Sequence, residues 1–140
     1  MGSSRVKRDD VLLNITGASI GRVCVVPARL CPANVNQHVS IVRCMSDIYP
    51  EFLSFFISTP QFQDFIFNTQ AGATRQALTK ALIEDFSIPL PPLAEQKRIA
   101  EELNKKMMVL KQLRAELEIQ LDEINALPSI LLHQAFNGEL

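Results

Sequence analysis

The pattern of apolar and polar positions in the first third of the chain is typical of short β-strands. Residues 10–15 are largely apolar and β-branched, and residues 22–26 repeat that character before Pro27. Two glycines interrupt the chain between these runs, so the pattern predicts two strands joined by a wide turn. Residues 36–43 alternate polar and apolar side chains, although imperfectly, and are predicted to form a third strand.

The middle of the chain changes to helical spacing. Two short segments with apolar residues at helical intervals follow Pro50 and Pro60. Proline suits the first turn of a helix, because the N–H that it lacks would have no partner there, so both prolines predict helix starts. Seven of the eight phenylalanines lie between residues 52 and 86, which predicts the core there rather than a platform for stacking bases. The apolar residues 86–90 predict a further short strand.

Residues 93–127 contain neither glycine nor proline, and leucine or isoleucine recurs among them at heptad spacing. The pattern predicts one helix of roughly 50 Å at 1.5 Å per residue. The heptad is interrupted at Lys106 and Gln120, and Pro128 is expected to end the helix. A short amphipathic helix capped by Gly138 is predicted to follow. The predicted helix-pairing seam consists of Leu103, Leu110, Leu113, Leu117 and Ile124.

Together these segments predict an α+β fold, in which a small mixed part of sheet and helices precedes a long coiled-coil-forming helix. Residues 1–9 are expected to be a lead outside the fold, since the Met-Gly-Ser-Ser start is typical of an expression tag. The globular part is predicted at 10–91, the long helix at 92–127 and the short C-terminal helix at 128–140. The apolar stripe is too long for the globular part to cover, so we expect it to meet a second helix or a second copy of the chain.

Composition restricts the class of protein. The net charge is −1, so no global basic signal indicates nucleic acid, although residues 1–43 carry six Lys or Arg against two Asp. A solvated surface explains this local excess as well as a phosphate-facing surface does. Three cysteines without a CxxC pair indicate neither a disulfide framework nor a metal site. No membrane-spanning run or signal peptide is visible, so we expect a cytoplasmic protein.

Candidate chemistry is confined to polar side chains that could contact DNA. Some flank the first glycine turn, which lacks the spacing of a nucleotide-binding loop and could equally be an ordinary β-turn. Others precede the third strand, where amides could pair with adenine but are also common turn residues. The remaining two lie on a loop that follows Gly72. The predicted DNA-facing set is Thr16, Ser19, Arg22, Asn36, Gln37, Arg75 and Gln76.

The sequence contains no residue pattern that predicts a catalytic site. Neither histidine neighbours a nucleophile, and many of the acidic residues lie on the long helix, where they form its solvated face. We therefore predict no catalytic residue, no metal and no cofactor. An enzyme with a small-molecule site at the turn between Gly17 and Gly21 is the weakest hypothesis.

Four segments of the chain resemble the specificity subunit of type I restriction–modification systems. The most specific is GATRQALTKALIEDFSIPLPPLAEQKRIAEEL at residues 72–103, because a glycine loop, an IPLPP segment and an EQxxI helix start rarely coincide. The others are DVLLNITGASIGRVCVVP at 10–27, NQHVSIVR at 36–43 and LLHQAFNGEL at 131–140.

The resemblance implies a non-catalytic subunit with two target-recognition domains, each reading half of a split double-stranded DNA site. Each domain would be followed by a spacer helix, and the two helices would pack antiparallel. The subunit would dock methyltransferase subunits, which use S-adenosylmethionine, and an ATP-dependent restriction subunit. Family recognition domains are longer than residues 10–91, so we expect a fragment, with a partial recognition domain, that forms a homodimer through its helix. The alternative is a coiled-coil scaffold without independent DNA binding.

Overall fold

Three antiparallel strands form the main sheet of the chain. The computed structural model describes residues 4–69 and 78–139. The strands in these ranges are β1 (Arg5–Val6), β2 (Val11–Asn14), β3 (Val23–Val25), β4 (Ala33–Asn34) and β5 (Val39–Val42). β2 lies between β3 and β5, whereas β1 pairs separately with β4. The three strands predicted from the sequence are those of the main sheet.

Helices make up most of the remaining described chain. They are α1 (Pro50–Ile57), α2 (Pro60–Thr69), α3 (Lys80–Glu84) and α4 (Leu93–Asn137). The two prolines start α1 and α2 as predicted, and the α+β class is confirmed. The short α3 was not predicted from the sequence. It begins where the Thr79 hydroxyl accepts a hydrogen bond of 3.3 Å from the Leu82 N–H.

The side chains of β2 alternate between the core and the opposite face of the sheet. Val11 and Leu13 point inward and are fully buried, while Leu12 and Asn14 lie on the opposite, half-buried face. Buried residues from the helices and from the segment before α3 meet the inward face, and they are Leu53, Ile57, Phe62, Ile66 and Leu78. Burying one such side chain contributes about 1.5–3 kcal/mol, so this cluster is the main source of stability in the globular part.

The phenylalanine cluster lies in the core, as predicted. The rings of Phe62 and Phe86 meet edge to face, with centroids 4.6 Å apart and an interplanar angle of 70°. Phe56 and Phe65 complete the cluster against these two rings. Edge-to-face pairs add to the stability that comes from burial alone.

The predicted strand at residues 86–90 is wrong. The chain there is irregular, and it packs Phe86 and Ile88 against the core without pairing with a strand. Pro89 and the two prolines that follow Leu90 cannot donate ladder hydrogen bonds, which explains why an apolar run fails to join the sheet.

Residues 1–9 were expected to be a lead, but Arg5–Val6 forms β1. Val6 is buried with only 4% of its surface exposed, and it pairs with Ala33 in the register of β4. A strand of two residues carries too little periodicity to be found from the sequence. The burial of Val6 shows that part of this segment belongs to the fold.

Pro128 does not end the long helix. α4 runs from Leu93 through Pro128 to Asn137, so the separate C-terminal helix predicted at 128–140 is a continuation of α4. A proline removes one hydrogen bond to the carbonyl four residues earlier, but the turns on either side, which contain Ala126, Leu127, Leu131 and Leu132, keep the helix continuous here. The helix ends at Gly138, whose φ is +74°, and the Glu139 N–H donates back to the Gln134 carbonyl at 3.0 Å.

A buried amide fixes the first turn of α4 to the globular part. Gln96 is 1% exposed, and its Oε1 accepts a hydrogen bond of 2.8 Å from the Tyr49 N–H. Its Nε2 donates to the carbonyls of Asp47 and Pro91, each at 2.9 Å. Every polar atom of this side chain therefore has a partner, and the first turn of the helix is held by neighbouring backbone rather than by apolar packing alone.

The chain divides into two compact units, Met1–Ala100 and Glu101–Leu140. The first contains the sheets, the short helices and the start of α4, and the second contains the rest of α4. Over residues 4–69 and 78–139, no helix is both long enough and apolar enough to cross a membrane.

Replacing Gln96 with leucine should destabilise the protein. Gln96→Leu keeps a similar volume but leaves one N–H and two carbonyls without their partners, so we expect unfolding to become easier by about 2–4 kcal/mol. Urea denaturation followed by circular dichroism measures the change. Gln112→Leu, at an exposed position of the same helix, is the matched control, with an expected change within about 0.5 kcal/mol. Equal losses in the two variants would contradict the assigned role of Gln96.

Candidate nucleic-acid interface

The loop between β2 and β3 is held at both ends by Asn14. The Asn14 carbonyl accepts from the Gly21 N–H at 2.9 Å, and its side-chain Oδ1 accepts from the Thr16 N–H at 3.1 Å. Gly17 and Gly21 have φ values of +73° and +83°, which side-chain-bearing residues rarely adopt. The loop is therefore a fixed turn that presents Thr16 and Ser19 at one end of the sheet.

Gly21 also has no room for a side chain. A Cβ at this position would lie 2.5 Å from Gln63 Oε1 and 3.3 Å from Ile66 Cδ1. The Gln63 amide cannot easily move aside, since its Nε2 donates to the carbonyls of Gly21 and Ile57 at 3.1 and 2.8 Å. Gly17 differs, because open space surrounds its Cβ position.

His38 joins the glycine turn to the polar residues before β5. Its Nδ1 lies 2.6 Å from Thr16 Oγ1 in a hydrogen bond, and its Nε2 lies 3.3 Å from Gln37 Nε2. The His38 backbone N–H donates to Asn36 Oδ1 at 3.0 Å, and the His38 backbone carbonyl accepts from the Ile15 N–H at 2.9 Å. Thr16 thus forms one cluster with Asn36 and Gln37, which lie at least 20 positions later in the sequence. His38 is absent from the predicted set although it connects these three members.

Arg22 lies beside this cluster at the start of β3. The Arg22 side chain is exposed, and the Arg22 backbone N–H donates to the Ser19 carbonyl at 3.2 Å. Arg22, Asn14 and Val39 line one shallow depression on the outer face of the sheet. The structure therefore gathers five predicted residues around one end of β2. The other two, Arg75 and Gln76, lie outside the described residues.

This end of the sheet carries hydrogen-bond donors and acceptors together with one guanidinium group. Such groups contact base edges and phosphate oxygens in protein–DNA complexes. Within the part of the chain that the structure describes, no group of three or more His, Cys, Asp or Glu side chains could hold a metal ion.

At the other end of β2, Asp10 forms a buried ion pair. Its side chain is 2% exposed, and its two oxygens accept from Arg43 Nε and Nη2, each at 2.7 Å. The Lys7 N–H donates to the same carboxylate at 2.7 Å. The hydrogen bond from Arg43 lowers the pKa of Asp10, burial opposes this effect, and the Lys7 N–H lowers the pKa further. Asp10 is thus held as a carboxylate that joins the turn after β1 to the arginine that follows β5.

The predicted seam residues share one side of α4. At 100° per residue they fall within an arc of about 80°. Leu103 is half-buried, and the other four each expose half or more of their surface. Met108 and Ile119 are also exposed but lie on roughly the opposite side of the helix. The assignment of the seam as a pairing surface stays a prediction.

Comparison with known proteins agrees with this architecture. Residues 3–121 match the family model described as the type I restriction modification DNA specificity domain. Because this match covers most of the chain, the protein belongs to that family of DNA specificity domains.

Individual relatives give the same result. The chain is 28% identical over 140 residues to the type I restriction enzyme EcoBI specificity subunit of Escherichia coli, covering 98% of this chain and 29% of that protein. It is 31% identical over 98 residues to the putative MjaX specificity subunit of Methanocaldococcus jannaschii, covering 70% of this chain and 22% of that protein. The chain thus spans less than a third of the length of these relatives.

A solved structure shares the fold. The chain superimposes with a TM-score of 0.73 and 23% identity on a chain from a study of complex assembly and conformational transition of the type I R-M system. The superposition covers 100% of this chain and 33% of that chain.

The stability of the folded protein should depend on pH through the carboxyl group of Asp10. Because the folded-state pKa of Asp10 is lowered, its contribution is fully present above the unfolded value, near pH 4, and is lost as pH falls through the folded value. Asp10→Asn should therefore be less stable near neutral pH, and its stability should change less than that of the wild type between about pH 5 and pH 2. Denaturation midpoints across this range test the difference. Asp9→Asn, which removes an exposed neighbouring carboxylate, is the control and should follow the wild-type curve.

Proposed function

We propose that this chain contributes to sequence-specific recognition of double-stranded DNA in a type I restriction–modification system. The observation that carries the proposal is the polar cluster at one end of the main sheet in a member of a DNA specificity family. Hydrogen bonds to ordered backbone fix much of this cluster before any ligand arrives, which reduces the entropy lost on binding.

The proposed roles within the cluster differ by chemistry. Asn36 and Gln37 carry amides that can pair with adenine edges, and Arg22 suits guanine or a phosphate. The hydroxyl groups of Thr16 and Ser19 suit phosphate oxygens. Arg75 and Gln76 belong to the proposed set on the basis of their sequence alone.

The long helix is proposed to act as a spacer. Its exposed leucine stripe supports pairing with a second helix, because an apolar stripe gains stability when water is removed from it. In this chain alone the partner would be a second copy, and antiparallel pairing about a two-fold axis would close a homodimer.

The remaining roles follow from family membership. We propose that the chain is a non-catalytic specificity component in the cytoplasm, which docks methyltransferase and restriction subunits of the same system. The similar proteins of E. coli and M. jannaschii carry the name of specificity subunits, and this supports the assignment. The competing function is a coiled-coil scaffold without independent DNA binding, which the extent of the exposed stripe favours.

A salt series separates DNA recognition from the scaffold function. Fluorescence anisotropy with a labelled duplex should show affinity that falls with salt, with a negative log–log slope. Arg22→Gln should weaken binding by about 1–3 kcal/mol, because it removes one guanidinium contact. Arg29→Gln removes an exposed arginine outside the cluster and should bind as the wild type does. Absence of duplex binding at low salt would leave the scaffold function alone.

Charged substitutions in the seam test the homodimer. Leu110→Lys combined with Leu117→Lys places two ammonium groups in the proposed interface, so light scattering should report a monomer. Met108→Lys combined with Ile119→Lys makes the same charge change on roughly the opposite side of α4, and this control should remain a dimer. A dimer that survives the first pair of substitutions would show that the seam is misassigned.

A further inference from the structure

A second polar region lies at the end of β2 remote from the Thr16–His38 cluster. It is a cleft of about 410 Å³ between the turn Lys7–Asp10, residues 43–50 and the start of α4. All three segments belong to the first compact unit. None of the cleft's cationic residues is among the predicted DNA-facing set.

The cleft carries an excess of positive charge. Its cationic lining residues are Lys7, Arg8, Arg43 and Lys97, against the carboxylates of Asp9 and Asp10. Arg43 is committed to the buried Asp10, and Arg8 pairs with the exposed Asp9. Among the described residues, neither lysine forms a salt bridge with a carboxylate, although the Lys7 charge helps to lower the pKa of Asp10, so both ammonium groups remain accessible to an anion.

The turn that carries Lys7 is fixed by its own hydrogen bonds. Asp9 has a φ of +65°, a left-handed conformation that aspartate tolerates better than most side chains. Its N–H donates to the Val26 carbonyl at 3.0 Å, and the Asp10 N–H donates to the Lys7 carbonyl at 3.2 Å. The backbone at Lys7 is therefore positioned before any ligand binds.

Lys97 is also carried by ordered backbone. It follows Gln96, whose amide holds the Tyr49 N–H, and its Nζ lies 5.9 Å from the centre of the Tyr49 ring. The face of the ring attracts the ammonium group at this distance and leaves its charge unchanged. Two lysines that form no salt bridge among the described residues thus lie on fixed elements that line one cleft.

We propose that this cleft binds the phosphate backbone of the DNA whose bases the Thr16–His38 cluster contacts. This inference rests on the proposed function. Lysine acts as a mobile point charge, which suits phosphate and carries no base preference, so the cleft positions the duplex rather than selecting its sequence. Thr16 lies six positions after Asp10, which corresponds to roughly 15–20 Å of extended chain. That distance equals the rise of about five base pairs, so one duplex can reach both regions.

Salt dependence identifies phosphate contacts directly. In the full chain, Lys7→Gln and Lys97→Gln should each reduce the log–log slope of duplex affinity with salt by about 0.9. The double variant should lose on the order of 10–100-fold in affinity at 0.1 M salt, equally for duplexes of different sequence. Lys111→Gln makes the same charge change on an exposed part of α4 and should keep the wild-type slope. Lys7→Arg retains the charge and should show the wild-type slope. That result would show that the smaller slope of Lys7→Gln comes from the lost charge and not from loss of folding.

The outcomes separate this inference from the proposed function. If the wild type binds no duplex at low salt, both are overturned. If the wild type binds but the cleft variants keep the slope of Lys111→Gln, the phosphate site alone is overturned. It is also overturned if the variants change the preference between duplexes, which would indicate base contact. Loss of methyltransferase binding with an unchanged DNA slope would instead assign the cleft to an acidic protein partner.

Discussion

The buried carboxylate of Asp10 is the interaction on which the globular part depends. It accepts hydrogen bonds from the turn after β1 and from the arginine that follows β5, while its own backbone carbonyl accepts from Val26 at 2.9 Å. One residue therefore joins β1, β3 and β5 at the same end of the sheet. Because burying a charge is costly unless it is paired, Arg43 must accompany it, and the position of the cleft cations follows from this pair.

Strong periodicity made much of the fold predictable. The main-sheet strands, the starts of α1 and α2 and the phenylalanine core all carry patterns that local physics enforces, since each buries a regular set of apolar side chains. The predictions that were missing or wrong also have physical reasons. β1 and α3 are too short to show a period. Residues 86–90 are apolar enough for a strand, but Pro89 and the two prolines that follow Leu90 cannot donate ladder hydrogen bonds. Pro128 removes one helix hydrogen bond and crowds the carbonyl four residues earlier, yet α4 continues through it to Asn137.

The candidate site was predictable only where polar residues adjoin strand ends. Thr16 and Asn36 follow or precede strands that pair with each other, so the sheet brings them together. Lys7 and Lys97 are 90 positions apart in the chain, and only the fold places them around one cleft. The charge excess of residues 1–43 was the sole sequence signal of this second region, and it could not show which cations were already neutralised.

The packing of Gly21 against Gln63 has a consequence for protein engineering. A library that aims to change target preference through the β2–β3 loop cannot vary all of its positions alike. Position 21 must stay glycine, because a side chain would collide with an amide that two carbonyls hold in place. Gly17 adjoins open space, but its φ of +73° also favours glycine, so sequence diversity in this loop is better placed at Ala18 and Ser19.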